Sequence, residues 1–108
     1  MGITKSAVFS EKQNTLAGIS KVLGHPARIA ILEHLINLQT FVCGDLVKVI
    51  GLAQAIISQH LKELKKIGII KGTIEGTSFC YCIDIDNWER VATLLHSFLN
   101  IKNNVNSC

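Results

Sequence analysis

Hydrophobic residues recur at helical spacing through the first third of the chain. The steps i, i+3, i+6 and i+7 of one helix face are occupied by Leu16, Ile19, Val22 and Leu23. This spacing predicts a helix over 13–23, and Gly24 supplies a stop after it. Pro26 suits the first turn of a second helix, predicted over 26–38, because first-turn N–H groups have no acceptor within the helix.

The middle of the chain predicts two more helices separated by a tight turn. After an extended link over 40–42, Gly44 and Asp45 open a short helix, and Gly51 ends it. Asp45 suits the positive amino end of that helix. A longer helix is predicted over 53–67. Its buried stripe consists of Ile57, Leu61 and Leu64.

A β-hairpin is predicted next. Gly68 stops the preceding helix, and Ile69 and Ile70 start a strand. Gly76 and Thr77 form the expected tip. Apolar and polar positions alternate on the return strand, with apolar side chains at Phe79, Tyr81, Ile83 and Ile85.

The last helix is predicted to begin at an acidic cap. Asp86 is a good N-cap, and Glu89 three residues later completes a capping box. Apolar residues then cover most of the helix circumference: Trp88, Val91, Ala92, Leu94, Leu95, Phe98, Leu99 and Ile101. A helix that is apolar nearly all round needs burial on two sides, so we expect a second subunit against it.

The order of these elements predicts a single domain over 1–108. Four helices, a β-hairpin and a final helix, α-α-α-α-β-β-α, make a mainly α winged helix-turn-helix. The hairpin is the wing, and helix 53–67 is the reading helix that enters a DNA groove.

Composition agrees with a subunit interface and with nucleic acid as a partner. The chain is 48% hydrophobic and only 18% charged, and we expect the apolar surplus to lie between two copies. The net charge of +3 is mildly basic, so its distribution carries more weight than its sum. Residues 60–71 hold the lysines Lys62, Lys65, Lys66 and Lys71 against Glu63 alone.

The sequence predicts a cytoplasmic protein. Its first residues lack the apolar run of a signal peptide, and no window has the apolar length of a membrane span. In that compartment we expect the four cysteines, Cys43, Cys80, Cys82 and Cys108, to be mostly reduced thiols.

Three segments resemble the ArsR family of small dimeric winged-helix repressors. Segment 23–35, LGHPARIAILEHL, looks like the family's Pro-x-Arg-x-x-Ile-Leu helix start. Asp45-Leu46 looks like the opening of its first helix-turn-helix element. Segment 58–70, SQHLKELKKIGII, looks like its recognition segment, and the similarity spans roughly residues 16–101.

The resemblance implies a DNA-binding homodimer, with dimerisation helices at about 4–23 and 86–101. The expected interface residues are Leu16, Ile19, Trp88, Val91, Leu95, Phe98 and Leu99. Two reading helices would then enter successive major grooves of a pseudo-palindromic double-stranded operator, most simply as a repressor.

Several positions depart from the family pattern. Ala53 stands where the family often has a capping serine, and the wing carries one lysine and one glutamate, which predicts weak phosphate contacts. The family's soft-metal Cys-x-Cys positions are Val42 and Gly44 here, and its interface zinc site is matched only by Asp84 and His96, fewer ligands than a closed zinc site needs. We therefore expect no metal and no cofactor, and the effector stays open: small molecule, metal, redox signal or none.

The expected DNA contacts lie on the outward face of helix 53–67 and at the start of the wing. They are Gln54, Ala55, Ser58, Gln59, Lys62, Lys65, Lys66 and Lys71. Glutamine bonds an adenine edge, serine pairs with several bases, and lysine reaches guanine or phosphate. We expect Lys65 and Lys66 to position the protein rather than to read sequence.

The same residues also allow interpretations without specific DNA binding, sensing or catalysis. The polar stripe is also typical of a solvated helix face in a winged-helix module for protein–protein assembly, without specific DNA binding. His60 fits a structural histidine better than a proton switch. Cys80 and Cys82 share a strand face but lie too far apart to bond each other. They fit half-buried hydrophobes, redox thiols, or ligands of a soft metal together with Cys43 or Cys108. Ser58 and His60 do not face each other on a helix, so we expect no enzyme.

Overall fold

The computed structural model describes residues 7–38, 42–43, 46–75 and 78–100. These residues form a mainly α winged helix-turn-helix, as predicted. In chain order the elements are α1 (Glu11–Leu23), α2 (Pro26–Leu38), β1 (Val42–Cys43), α3 (Leu46–Ile50), α4 (Gln54–Lys66), β2 (Ile70–Glu75), β3 (Ser78–Ile83) and α5 (Ile85–Leu99).

A capping box places the start of α1. The Ser10 hydroxyl accepts from the Gln13 N–H at 3.1 Å, and the Gln13 side chain accepts from the Ser10 N–H at 2.9 Å. Residues 7–10 are not helical, so α1 does not continue back toward residue 4, and residues 4–6 lie outside the described residues. The reciprocal pair satisfies two N–H groups that would otherwise lack acceptors, which is why the helix begins at Glu11.

Two glycines form the turns around α4. Gly51, with φ of 82°, donates its N–H to the Val47 carbonyl at 2.9 Å and ends α3. Gly68, with φ of 81°, follows the end of α4. Both angles lie where residues with a Cβ are strained, which confirms the predicted stops. Ala53 caps α4 without a side-chain hydrogen bond, also as predicted, whereas Gly44 and Asp45 lie outside the described residues.

The sheet has a strand that the sequence did not predict. Its order is β1-β3-β2, and both pairings are antiparallel. The segment predicted as a plain link supplies β1, whose Val42 and Cys43 pair with Tyr81 and Cys80. The predicted hairpin tip at 76–77 lies outside the described residues.

Asp84, not Asp86, caps α5. The Asp84 N–H donates to the Ile69 carbonyl at 2.9 Å, which keeps Asp84 at the end of the sheet, and its carboxylate accepts from the Asn87 N–H at 3.3 Å. The predicted capping box of Asp86 and Glu89 is therefore wrong. The return strand also ends earlier than predicted, because Ile85 belongs to the helix.

The cysteines are not uniformly reduced. Cys80 is disulfide-bonded in the structure, which contradicts the expectation of reduced thiols for this residue. Cys82 is a free, half-buried thiol. The two therefore do not bond each other, as their positions on one strand predicted.

One core joins α1, α2, α4 and the sheet to α5. Its buried hydrophobic residues are Ile19, Val22, Ile31, Leu32, Leu35, Leu46, Ile57, Leu61, Leu64, Ile69, Ile70, Tyr81 and Val91. The predicted stripe of α4 is fully buried, which fixes the rotation of that helix and turns its opposite face outward. Within the described ranges, no helix has the length and apolar character to cross a membrane.

Candidate nucleic-acid interface

The outward face of α4 carries the predicted contact residues at helical spacing. Ala55, Gln59, Lys62 and Lys66 follow the steps i, i+4, i+7 and i+11, and all four are exposed. Gln54 and Ser58 lie beside this stripe and are half-buried. The side chains that carry base-reading groups are thus brought onto one strip of the helix.

Ile56, in the first turn of α4, was not among the contact residues that the sequence predicted. Its side chain is 47% exposed and flanks the polar stripe. An apolar group in this position suits the methyl group of thymine. The signal was present in the sequence, because Ile56 lies one position before the buried stripe and cannot share it.

The lysines near the end of α4 already have partners within the protein. The Lys65 ammonium donates to the Gly72 carbonyl at 2.7 Å and so joins α4 to the wing. The Lys66 ammonium pairs with the Glu63 carboxylate at 2.9 Å, and this hydrogen bond lowers the pKa of Glu63. An exposed pair of this kind contributes little, so a phosphate can compete for Lys66.

Lys62 and Lys71 are exposed cations on the DNA-facing side of the predicted interface. Neither forms a hydrogen bond or an ion pair within 7–38, 42–43, 46–75 and 78–100. Lys62 lies on the stripe of α4, and Lys71 lies on β2 at the base of the wing. Among the predicted contact residues, these two side chains are therefore the most available to contact DNA phosphates.

A buried arginine holds the middle of α4 in place. Arg28 is only 8% exposed. Its Nε donates to His60 Nδ1 at 3.0 Å, and one terminal nitrogen donates to the Val22 carbonyl at 3.0 Å. The guanidinium thereby links the end of α1, the start of α2 and the middle of α4.

His60 is a structural histidine at this junction, the interpretation that the sequence favoured. Its Nδ1 must be unprotonated to accept from Arg28. Burial, then the charge of Arg28, then His25 lower the pKa of His60 below its ordinary 6.5. The His25 ring lies 5.9 Å away, centroid to centroid. These contacts keep His60 neutral and engaged with the scaffold at neutral pH.

The wing depends on a close approach between β2 and β3. Gly72 has φ of 148°, and a Cβ built on it would lie 2.0 Å from the Cys80 carbonyl oxygen. Only glycine fits such a contact between two backbones. The carbonyl of the same glycine accepts the hydrogen bond from Lys65, so α4 contacts the wing at the point where the two strands approach closely.

The predicted interface residues occupy different environments in the protomer. Ile19 and Val91 lie in its own core, and Leu16, Trp88 and Leu95 are half-buried. Phe98 and Leu99 are each 67% exposed. An open groove of about 300 Å³ runs between α1 and α5, lined by Thr15, Ile19, Ile67, Arg90, Val91 and Leu94.

The described side chains do not gather into a metal site. No group of three or more His, Cys, Asp or Glu residues stands close enough to hold a metal ion in the part of the chain that the structure describes. Asp84, one of the two partial matches to the family's zinc ligands, serves as the cap of α5. His96, the other, is exposed in the last turn of that helix.

Comparisons with known proteins agree with this geometry. Residues 25–71 match the model of the bacterial regulatory protein, arsR family. The HTH-type transcriptional regulator MJ1325 of Methanocaldococcus jannaschii is 37% identical over 75 residues, which is 68% of this chain and 84% of that protein.

Two solved structures share the fold. The ArsR family transcriptional regulator RHA00566 superposes with a TM-score of 0.69 at 20% identity, covering 91% of this chain and all of that one. The homodimeric winged helix-turn-helix DNA-binding domain Mb0332 of Mycobacterium bovis gives a TM-score of 0.60 at 21% identity, covering 96% and 94%.

Proposed function

Because this chain belongs to the ArsR family of bacterial regulatory proteins, we propose that it is a homodimeric repressor that binds a pseudo-palindromic operator through α4. The protein is a transcriptional regulator with a helix-turn-helix DNA-binding fold. Binding of an operator through α4 is supported by the exposed stripe of that helix, which lies opposite its fully buried stripe.

Each predicted contact residue has a proposed role on the DNA. Gln59 bonds a base edge in the major groove, with Ser58 and Gln54 beside it. Ala55 allows the first turn of α4 to approach the bases. Phosphates are contacted by Lys62 and Lys71 directly, and by Lys65 and Lys66 at the far end of the helix.

A homodimer is supported by the last helix. Phe98 and Leu99 leave apolar surface uncovered on α5, and exposed side chains of this size are typical of an interface when they continue a core face. The Mycobacterium bovis domain with the same fold is homodimeric. Two copies of α4 would then read half-sites about one DNA turn apart, about 34 Å.

The proposed site of action is the cytoplasm, where a bacterial regulator meets its DNA. Double-stranded DNA and a second copy of the chain are the partners required. No cofactor is needed for the contacts described above.

Fluorescence anisotropy tests this proposal. A labelled fragment from upstream of the protein's own gene and a scrambled duplex would be titrated in reducing buffer with chelator at two salt concentrations. We expect tighter binding to the native fragment and a steep loss of affinity with salt, since phosphate contacts release counterions. Equal binding to both duplexes, or none, would refute sequence-specific recognition and support the protein-assembly role.

A further inference from the structure

Two cysteines occupy facing positions on the sheet. Cys43 on β1 and Cys80 on β3 are register partners across an antiparallel pairing. Directly opposed residues in such a pairing have Cα atoms about 4.5–5.5 Å apart. This spacing falls within the range of about 4.4–6.8 Å that a disulfide requires.

The other cysteines limit which residue can be the disulfide partner of Cys80. The chain has four cysteines, Cys80 is disulfide-bonded and Cys82 is free. The partner of Cys80 is therefore Cys43 or Cys108, and Cys43 is the one that the register places opposite it.

We propose that Cys43 and Cys80 form a reversible disulfide, made by a hydroperoxide and broken by a cellular dithiol, whose oxidised form binds DNA more tightly. The effect on DNA affinity rests on the function proposed above, whereas the formation of the disulfide does not depend on that function.

The disulfide would enclose the whole reading head. The segment from Cys43 to Cys80 contains α3, the turn at Gly51, α4 and β2. Without the disulfide, the amino end of this segment is joined to the sheet by the pairing of β1, which is only two residues long. A covalent link at this point restricts the path into α3 and ties it to the wing. Such preorganisation increases affinity because less freedom is lost on binding.

One molecule of hydroperoxide is enough to oxidise the two thiols to one disulfide. One thiolate attacks a peroxide oxygen and becomes a sulfenic acid. The other peroxide oxygen leaves as hydroxide, or as an alkoxide from an organic hydroperoxide, and takes up a proton to give water or an alcohol. The second thiol displaces the sulfenic hydroxyl as water and forms the S–S bond. Two electrons pass from the two sulfurs to the peroxide. A reduced dithiol reverses the bond by exchange and is itself oxidised to a disulfide.

Peptide mapping tests the bond without DNA. Trypsin places Cys43 in the peptide 29–48, and it places Cys80 and Cys82 together in the peptide 72–90. The Cys82→Ser variant therefore makes the assignment unique. After treatment with hydrogen peroxide, we expect these two peptides to be linked in wild type and in Cys82→Ser, and separated again by dithiothreitol. Linkage to the peptide holding Cys108, or no linkage, would overturn the proposal.

Thermal unfolding and anisotropy test the consequence. We expect the oxidised protein to melt about 5–15 °C higher than the reduced protein, because the closed loop constrains the unfolded chain. We also expect its affinity for the native fragment to rise about 3–10-fold. Cys43→Ser should show neither change, and Cys82→Ser should show both. Weaker or unchanged DNA binding on oxidation would overturn the switch, whereas absence of specific binding in both states, with the peptides linked, would count against the proposed function alone.

Discussion

At the scale of single residues, glycines at different positions respond to the same added methyl group in opposite ways. At Gly72 the methyl would overlap the Cys80 carbonyl, and the backbone angle is itself unfavourable for alanine. At Gly18, exposed in α1, nothing lies within 4 Å of it. The surroundings of the residue, rather than its type, decide the outcome.

We expect Gly72→Ala to lower the free energy of unfolding by about 2–4 kcal/mol, since the wing must deform to accept it. Gly18→Ala, the matched control, should raise it by about 0.5–1 kcal/mol through helix propensity. Urea denaturation followed by circular dichroism measures both. A Gly72→Ala protein as stable as wild type would show that the two strands separate easily at this point.

Gln59 and Lys62 are adjacent on the exposed stripe but differ in what they can recognise. We expect Gln59→Ala to reduce discrimination between operator and scrambled DNA by about 1–3 kcal/mol. Lys62→Ala should weaken binding to both duplexes equally and lower the salt dependence, since a phosphate contact carries no sequence information. Anisotropy titrations over several salt concentrations separate the two effects. Unchanged sequence preference in Gln59→Ala would remove that residue from base reading.

At the scale of elements, α4 is held by contacts that differ in their dependence on pH. Its apolar stripe is insensitive to protons, whereas the Arg28–His60 hydrogen bond requires neutral His60. Because the pKa of His60 is lowered in the folded protein, the unfolded chain takes up this proton first as the pH falls below 6.5. The stabilisation is complete above that pH and declines below it.

We therefore expect the free energy of unfolding to fall between about pH 7 and pH 5, and His60→Asn to show a smaller fall. Asparagine can still offer an acceptor to Arg28 but does not titrate. Denaturation at a series of pH values measures the difference between the two proteins. Parallel pH profiles would assign the loss of stability to other groups.

Sequence periodicity predicted the helices and the hairpin well because each is a local pattern. It identified the buried stripe of α4 and the stops at Gly51 and Gly68. The contacts that join elements have no local pattern: Arg28 and His60 are 32 residues apart. Likewise, the two residues of β1 are too few to show alternation, and choosing Asp84 over Asp86 as the cap required the hydrogen bond to Ile69.

At the scale of the whole molecule, the apolar composition of the chain exceeds what one protomer buries. Phe98 and Leu99 stand exposed at the end of α5, beyond the core contact made by Val91. The composition predicted this apolar surplus, and the apolar pattern of the last helix predicted that the surplus would lie there. It did not predict that Ile19 and Val91 would be used within the protomer, because helical spacing alone does not distinguish a core face from an interface.

We expect Phe98→Glu to convert a dimer to a monomer without loss of helical structure, since the side chain is largely exposed in the protomer. Thr93→Glu adds the same charge on the exposed polar side of α5 and should remain dimeric. Sedimentation velocity distinguishes the two states, with circular dichroism as the check on folding. A Phe98→Glu protein that still sediments as a dimer would place the interface elsewhere.

A dimer built on the exposed end of α5 would also make gene dosage matter. If two chains must meet before either reads DNA, the abundance of the assembled form at low expression follows the square of the total, so halving synthesis lowers it about fourfold. A repressor controlling its own gene would then respond sharply to dilution during cell growth. Two uncovered side chains would in this way set a threshold for the circuit, with no effector involved.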